Sequence, residues 1–224
     1  MKTKKLIIVG DSAFAEIAYE YFQHDSEYEV VCFCVEHKFL TRKKFRGLPV
    51  VIFEEIEVHF APNDYFVYVA TAYTQLNRLR TRLKNAVKDK GYKLASYISR
   101  RAFVWQNVEI GEHCFIFEDN TLQPFVKLGD NVVLWSGNHI GHHSIVRDNC
   151  FIASHAIISG FCDIGQNSFI GVNSTIVNNV KIGSDNWIGP HSVIFKNTSS
   201  GTIYKTDQTE TANVSTARFF NFEQ

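Results

Sequence analysis

Every sixth residue from Val104 to Ile194 is aliphatic, and no other feature of the chain limits its fold as tightly. The series runs Val104, Ile110, Ile116, Leu122, Leu128, Leu134, Ile140, Val146, Ile152, Ile158, Ile164, Ile170, Ile176, Ile182, Ile188, Ile194 without an exception. Apolar residues make up 45% of the chain, so chance does not produce such a run. The residue two before each aliphatic is usually compact, as at Cys114, Ser144, Cys150, Ala156 and Ser168. The residue after it is often glycine, as at Gly111, Gly129, Gly141, Gly165, Gly171, Gly183 and Gly189. One large and one compact inward position per six residues describe a short strand and a tight turn. Three such units close a triangular coil, and coils must stack because none can bury its own aliphatics. The glycines are expected at corners that need unusual backbone angles.

The predicted architecture from this block is a left-handed parallel β-helix of hexapeptide repeats, five coils long, with no loop breaking the stack. Residues 1–98 follow a different pattern. Apolar or β-branched runs at Lys5–Val9, Tyr28–Val35, Leu48–Phe53, Tyr65–Ala70 and Lys93–Ile98 read as strands. Ala13–Phe22 and Leu76–Lys90 carry apolar residues at helical spacing, the second with Leu76, Leu79, Leu83 and Val87 on one stripe. Strands alternating with helices predict a parallel sheet with crossover helices, a small α/β Rossmann-like domain. The expected division is 1–98 for that domain, 99–195 for the β-helix and 196–224 for a polar C-terminal tail that wraps a neighbour or stays partly disordered.

Charge is balanced, 23 Lys and Arg against 23 Asp and Glu, which argues against a nucleic-acid or anionic-membrane partner. The basic start and the apolar LIIVG are too short for a signal peptide, and no run approaches the length of a membrane span. Cys32, Cys34, Cys114, Cys150 and Cys162 form no disulfide or zinc spacing, so reduced buried thiols and a cytoplasmic location are expected.

The densest polar cluster is Asn138-His139-Ile140-Gly141-His142-His143, followed by His155. The phase set by Ile140 puts His142, His143, His139 and His155 outside the inward slots. Three readings compete: a metal site, surface or subunit-contact histidines, and a general base. An imidazole with an ordinary pKa near 6.5 can take a proton from an amine or hydroxyl at neutral pH. One coil beyond His142 stands Gly160, whose backbone N–H no side chain of its own would cover. A base beside such a donor is the minimum for acyl transfer through an oxyanion.

The repeat block, NHIGHHS at Asn138–Ser144, SHAIISG at Ser154–Gly160 and the preceding α/β domain together resemble the PglD-type sugar acyltransferases. The resemblance spans nearly the whole chain. It implies a homotrimer that transfers an acetyl group from acetyl-CoA to an amino group of a nucleotide-linked sugar, in bacterial surface glycan (lipopolysaccharide or O-antigen) synthesis. The family base falls on His142 and the glycine on its oxyanion side on Gly160. Asn178, Lys181 and Lys196 in later coils would meet the phosphates of acetyl-CoA, and Asn138, His139 and His155 would contact substrate. Two positions depart from the family pattern. The N-terminal loop, often G-x-G-G-H, reads Gly10-Asp11-Ser12-Ala13-Phe14, and a second family histidine falls on Phe151.

In the N-terminal domain Gly10, Asp11 and Ser12 link a strand to a helix start, where backbone N–H groups can face a nucleotide. Glu36 follows the second strand, where an acid can accept from a ribose, and Thr71, Tyr73 and Asn77 sit at a strand end and helix start. Sugar O-acetylation, and a zinc enzyme of the carbonic-anhydrase-like β-helix type, stand as alternatives. No resident metal is expected. Outward Phe117, Phe125 and Trp135 point to a trimer with sites between subunits.

Overall fold

In the computed structural model, which describes residues 2–223, two domains meet in a shared hydrophobic cluster. The first is a sheet of β1 (Lys4–Val9), β2 (Tyr28–Val35), β3 (Lys44–Phe45), β4 (Leu48–Ile52), β5 (Tyr65–Val69) and β6 (Lys93–Leu94). Its order is β3-β4-β2-β1-β5-β6, parallel except for the β3–β4 hairpin. Leu6, Ile7, Ile8 and Val9 are all buried, because both faces of a parallel sheet are covered. The helix Ala13–Asp25 lies in one of the two cores flanking the sheet and the helix Arg78–Asp89 in the other. The second helix begins two residues later than its apolar stripe suggests. Gln75, Leu76 and Asn77 all adopt left-handed φ (53°, 50° and 67°), which no right-handed helix can include.

Lys93–Ile98 is not one strand. Lys93–Leu94 closes the α/β sheet, and Tyr97–Ile98 already belongs to the β-helix. Only Ala95 and Ser96 join the domains, so the apolar run serves two sheets in turn. At the other end, Ile203–Tyr204 pairs with Trp187–Ile188 after a shortened turn, so the stack continues past the last periodic aliphatic into the tail. A short helix, Thr216–Phe220, follows.

Two-residue strands alternate with four-residue turns and pair in parallel register eighteen residues apart, as in Ile116↔Leu134 and Leu134↔Ile152. The aliphatics from Leu122 to Ile194 fill one core with Cys114, Cys150 and Cys162, and all five cysteines are free and buried. Outward residues give the three faces of the prism different chemistry. The first carries Tyr97, Phe115, Val133, Phe151, Phe169 and Trp187. The second carries Phe103, Thr121, His139, Ile157, Thr175 and Val193. The third carries Glu109, Lys127, Ile145, Asp163 and Lys181.

The aromatic face is where the N-terminal domain docks. Phe115 has ring-to-ring distances of 5.9 Å to Phe14, 5.5 Å to Phe22 and 5.3 Å to Tyr68. Phe117 and Trp135 join this packing against Tyr21 and Phe14, so these two do not mark a contact with a second chain. Phe125 is 52% exposed and remains such a candidate.

The repeat glycines work differently from the expectation. The left-handed residue of each turn lies three after the aliphatic, at His113, Asp119, Phe125, Asn131, Gly137, His143 and onward to His191. Gly111, Gly141, Gly165 and Gly171, directly after the aliphatic, have ordinary φ. They are needed because a Cβ there would meet the next coil's backbone, at 2.6 Å for Gly141 and 2.5 Å for Gly165. Close approach of stacked coils, not backbone angle, selects glycine.

Candidate active site

The turn holding His142 lies on the corner between the second and third faces, and its neighbours along that corner come at eighteen-residue steps. Gly160 follows His142, then Asn178, then Lys196. The imidazole lies flat over the glycine: a Cβ on Gly160 would stand 2.9 Å from both Cε1 and Nε2 of His142. Any side chain at 160 would displace the ring. Nδ1 of His142 is 3.1 Å from Nδ1 of His143, and its backbone N–H donates to Gln123 Oε1 at 2.9 Å. Among the described residues, Nε2 of His142 has no hydrogen-bond partner, and the residue is exposed.

One expectation fails here. The N–H of Gly160 is not open; it donates to Asn178 Oδ1 at 2.9 Å. Asn178 therefore caps the turn, and the visible contribution of Gly160 is the space that its missing side chain leaves for the base.

His143 is held from both sides. Its ring stacks on Phe125 at 4.5 Å and on Phe161 at 4.8 Å. Both phenylalanines have left-handed φ, 67° and 58°. Along the β-helix this turn position is otherwise filled by Asn, Asp, His or Gly, which tolerate it. The two exceptions flank one histidine. Non-glycine residues in strained backbone concentrate at functional sites, and this signal was readable as Phe in a column of Asn and His.

The other histidines of the cluster scatter. His155 occupies the left-handed position of a turn on the corner between the first and second faces, over Gly137, and His139 points outward from the second face. Asn138 is buried and structural: its Nδ2 donates to Trp135 O and its Oδ1 accepts from Ala156 N at 2.8 Å. It contacts no open surface, so the substrate role expected of it is withdrawn. Lys181 projects from the third face and Lys196 from the His142 corner, both exposed. Among the described residues no group of three or more His, Cys, Asp or Glu is placed to hold a metal ion.

A concavity of about 270 Å³ opens in the N-terminal domain at the ends of β1, β2 and β5. Gly10, Asp11, Ser12, Glu36 and Thr71 line it together, with Phe39, Thr74 and Leu79. Gly10 has φ 120°, and a Cβ there would lie 2.9 Å from Ala70 O, so the turn accepts no other residue without movement. Thr71 Oγ1 is buried and has no hydrogen-bond partner. The Glu36 carboxylate is gripped by both terminal nitrogens of Arg82, at 3.0 and 2.9 Å, which holds it below the usual carboxylate range. Tyr73 and Asn77 do not join this pocket. Tyr73 packs on Phe151 and Phe169, and buried Asn77 donates to Asn167 O at 3.3 Å.

The joint between the domains contains two groups that the sequence did not reveal. Arg80 is fully buried, with Nε donating to Asn131 Oδ1 at 3.0 Å and its terminal nitrogens to the carbonyls of Asn131, Ala72 and Cys150. Burial lowers its pKa to about 10. Its guanidinium also lies 5.7 Å from the ring of Phe151, which explains an aromatic residue at that position. His113 is buried beside it, its Nε2 accepting from Val69 N at 2.9 Å and its ring stacked 4.7 Å from Tyr68. Burial pushes its pKa down to about 3, so it is neutral. The segment RLRTRLK reads as a solvated helix face, which hid Arg80. The column Asn131, Asn149, Asn167, hydrogen-bonded side chain to side chain, was the legible trace of a polar seam at this corner.

Comparison with known proteins finds a family match within the β-helix and structures that share the whole fold. Residues 125–160 and 161–196 match the bacterial transferase hexapeptide family of six repeats. By sequence, no curated protein matches the chain. Three solved structures superpose on nearly all of it. The acetyltransferase domain of PglB from Neisseria gonorrhoeae FA1090 aligns with a TM-score of 0.81 and 23% identity, covering 90% of this chain and 96% of that one. PerB from Caulobacter crescentus, in complex with CoA and GDP-perosamine, aligns at 0.79 and 20%, covering 89% and 92%. WeeI from Acinetobacter baumannii AYE aligns at 0.69 and 19%, covering 90% and 96%. Residues 125–196 thus match the hexapeptide-repeat family, and the chain shares with these structures the fold of an α/β domain followed by a β-helix.

Proposed function

We propose that the protein is an acetyltransferase that moves the acetyl group of acetyl-CoA onto the amino group of a nucleotide-linked amino sugar. The observation that carries this reading is the exposed His142 imidazole lying over Gly160 with its Nε2 unengaged. Nε2 takes a proton from the amine as the nitrogen attacks the thioester carbonyl. The C–S bond then breaks, an amide forms, and the CoA sulfur leaves with the proton that His142 gives back. A positioned base of this kind contributes roughly 10²- to 10⁴-fold.

The N-terminal pocket and the His142 corner suit the two ends of such substrates. The N-terminal pocket supplies a glycine turn, the uncapped Ser12 at a helix start, and the orphaned Thr71 hydroxyl, chemistry suited to a nucleotide. Asn178 and Lys196 continue the His142 corner. At about 4.8 Å per coil, Lys196 lies roughly 14 Å from the base, where a cation can meet the phosphates of CoA while the thioester sits at His142. PerB is a GDP-perosamine N-acetyltransferase whose structure holds CoA, and that likeness favours amide over ester formation here. A product stable to mild base would support the amide; a labile one would move the reading to O-acetylation.

The assembly that this requires is a homotrimer. Phe103, Phe125, Ile157, Phe161, Val193 and Phe195, each 47% exposed or more, form an apolar strip along the second face and the His142 corner. Packing against neighbouring copies would cover that strip and wall the base from water. Light scattering should give three times the 25.6 kDa chain; a fully active monomer would refute it.

A further inference from the structure

The general base needs a fixed tautomer, and among the described residues no carboxylate hydrogen-bonds to His142. For Nε2 of His142 to accept a proton, its Nδ1 must carry hydrogen. None of the turn residues along this corner, from Trp105-Gln106-Asn107-Val108 to Phe195-Lys196-Asn197-Thr198, is acidic. Asp163, which opens the strand after the Phe161 turn, is committed to Arg147 through two contacts of 2.7 Å. The charged side chain on the corner itself is Lys196, three coils away.

We propose that His143 is the positioning residue of the base: its neutral imidazole accepts the Nδ1 hydrogen of His142 and thereby holds His142 in the tautomer that leaves Nε2 free. This rests on the acetyl-transfer reading for its purpose, but not for its geometry. The 3.1 Å Nδ1-to-Nδ1 distance permits a hydrogen bond only if one ring donates and the other accepts. The Phe125 and Phe161 stacks fix the plane of His143, and its backbone N–H is tied to Pro124 O at 3.1 Å. The strained phenylalanines thus hold the His143 ring in place.

In His143→Asn, the side-chain oxygen can accept the same hydrogen and the residue type suits the left-handed turn, so kcat should be rescued relative to His143→Ala. His143→Ala should lose on the order of 100-fold in kcat with KM little changed. The tautomer itself can be read without turnover, from the ¹⁵N shifts of the His142 ring in the wild-type protein and in His143→Ala. An Nδ1–H tautomer in the wild type that shifts toward Nε2–H in the alanine variant is the expected result. An Nε2–H tautomer in the wild type, or unchanged kcat in His143→Ala, would overturn the proposal. Because the ¹⁵N measurement needs no substrate, its failure is distinct from a failure of acetyl transfer.

Discussion

The joint between the domains and the His142 corner are built on the same repeat, yet they use it in opposite ways. At the joint, the outward residues of one face are aromatic, and a second domain covers them. Arg80 and His113 are buried there with every polar bond assigned, and they are chemically silent. At the corner, two imidazoles stand exposed, His142 over a glycine and His143 braced by phenylalanines in a conformation that phenylalanine disfavours. One region spends its polar groups on holding still, and the other leaves Nε2 of His142 unpaired among the described residues. Burial therefore separates the two kinds of histidine in this chain more sharply than sequence clustering does.

The joint should give way first and hardest. Arg80→Ala leaves the carbonyls of Asn131, Ala72 and Cys150 without their donor in a buried seam, a change that costs about 3–5 kcal/mol. Chemical denaturation should show that loss and the N-terminal domain unfolding apart from the β-helix. A loss below about 1 kcal/mol would mean that the seam does not hold the domains.

His113 should reveal itself through pH. Its pKa is about 3 when folded and near 6.5 when unfolded, so the unfolded chain binds the proton first. The stabilisation is complete above pH 6.5 and is lost progressively as pH falls toward 3. Between pH 7 and pH 5 the native state should lose about 2 kcal/mol on this account, and His113→Gln should remove that slope from urea-unfolding curves. Equal slopes in both proteins would contradict a neutral buried His113.

The corner should respond in the opposite sense. Phe161→Asn relieves a left-handed phenylalanine, so stability should hold or rise by up to about 1 kcal/mol. Turnover should fall several-fold as His143 loses one stacking partner. A loss of stability above about 1 kcal/mol would make Phe161 an ordinary packing residue.

The fold was legible because its rule is local and repeated: the aliphatics from Leu122 to Ile194 all face the β-helix core, and the rule that placed them also placed Gly160 beside His142. What escaped the sequence was set by contacts between distant segments. Arg80 looked solvated because nothing in its own helix shows that Asn131 and Cys150 will close over it. Asn138 stands in the compact inward slot two before Ile140, and its place in the histidine cluster suggested a substrate role that its capping of Ala156 N–H excludes. Gly160 kept its predicted place but not its free N–H, because the Asn178 side chain one coil on could not be aimed from periodicity. The repeat glycines were recognised but misattributed, since coil-to-coil distance cannot be read from a turn pattern.

The central claim is that His142 is the base of an acetyl transfer, and a single comparison tests it most directly. Wild-type protein and His142→Ala are assayed with acetyl-CoA and nucleotide-linked 4-amino sugars, following CoA release and the mass of the sugar, with thermal unfolding as the control for folding. The account predicts an added acetyl group in the wild type and a kcat lowered by about 10²- to 10⁴-fold in the variant at unchanged thermal stability. Undiminished kcat in a folded His142→Ala would contradict it.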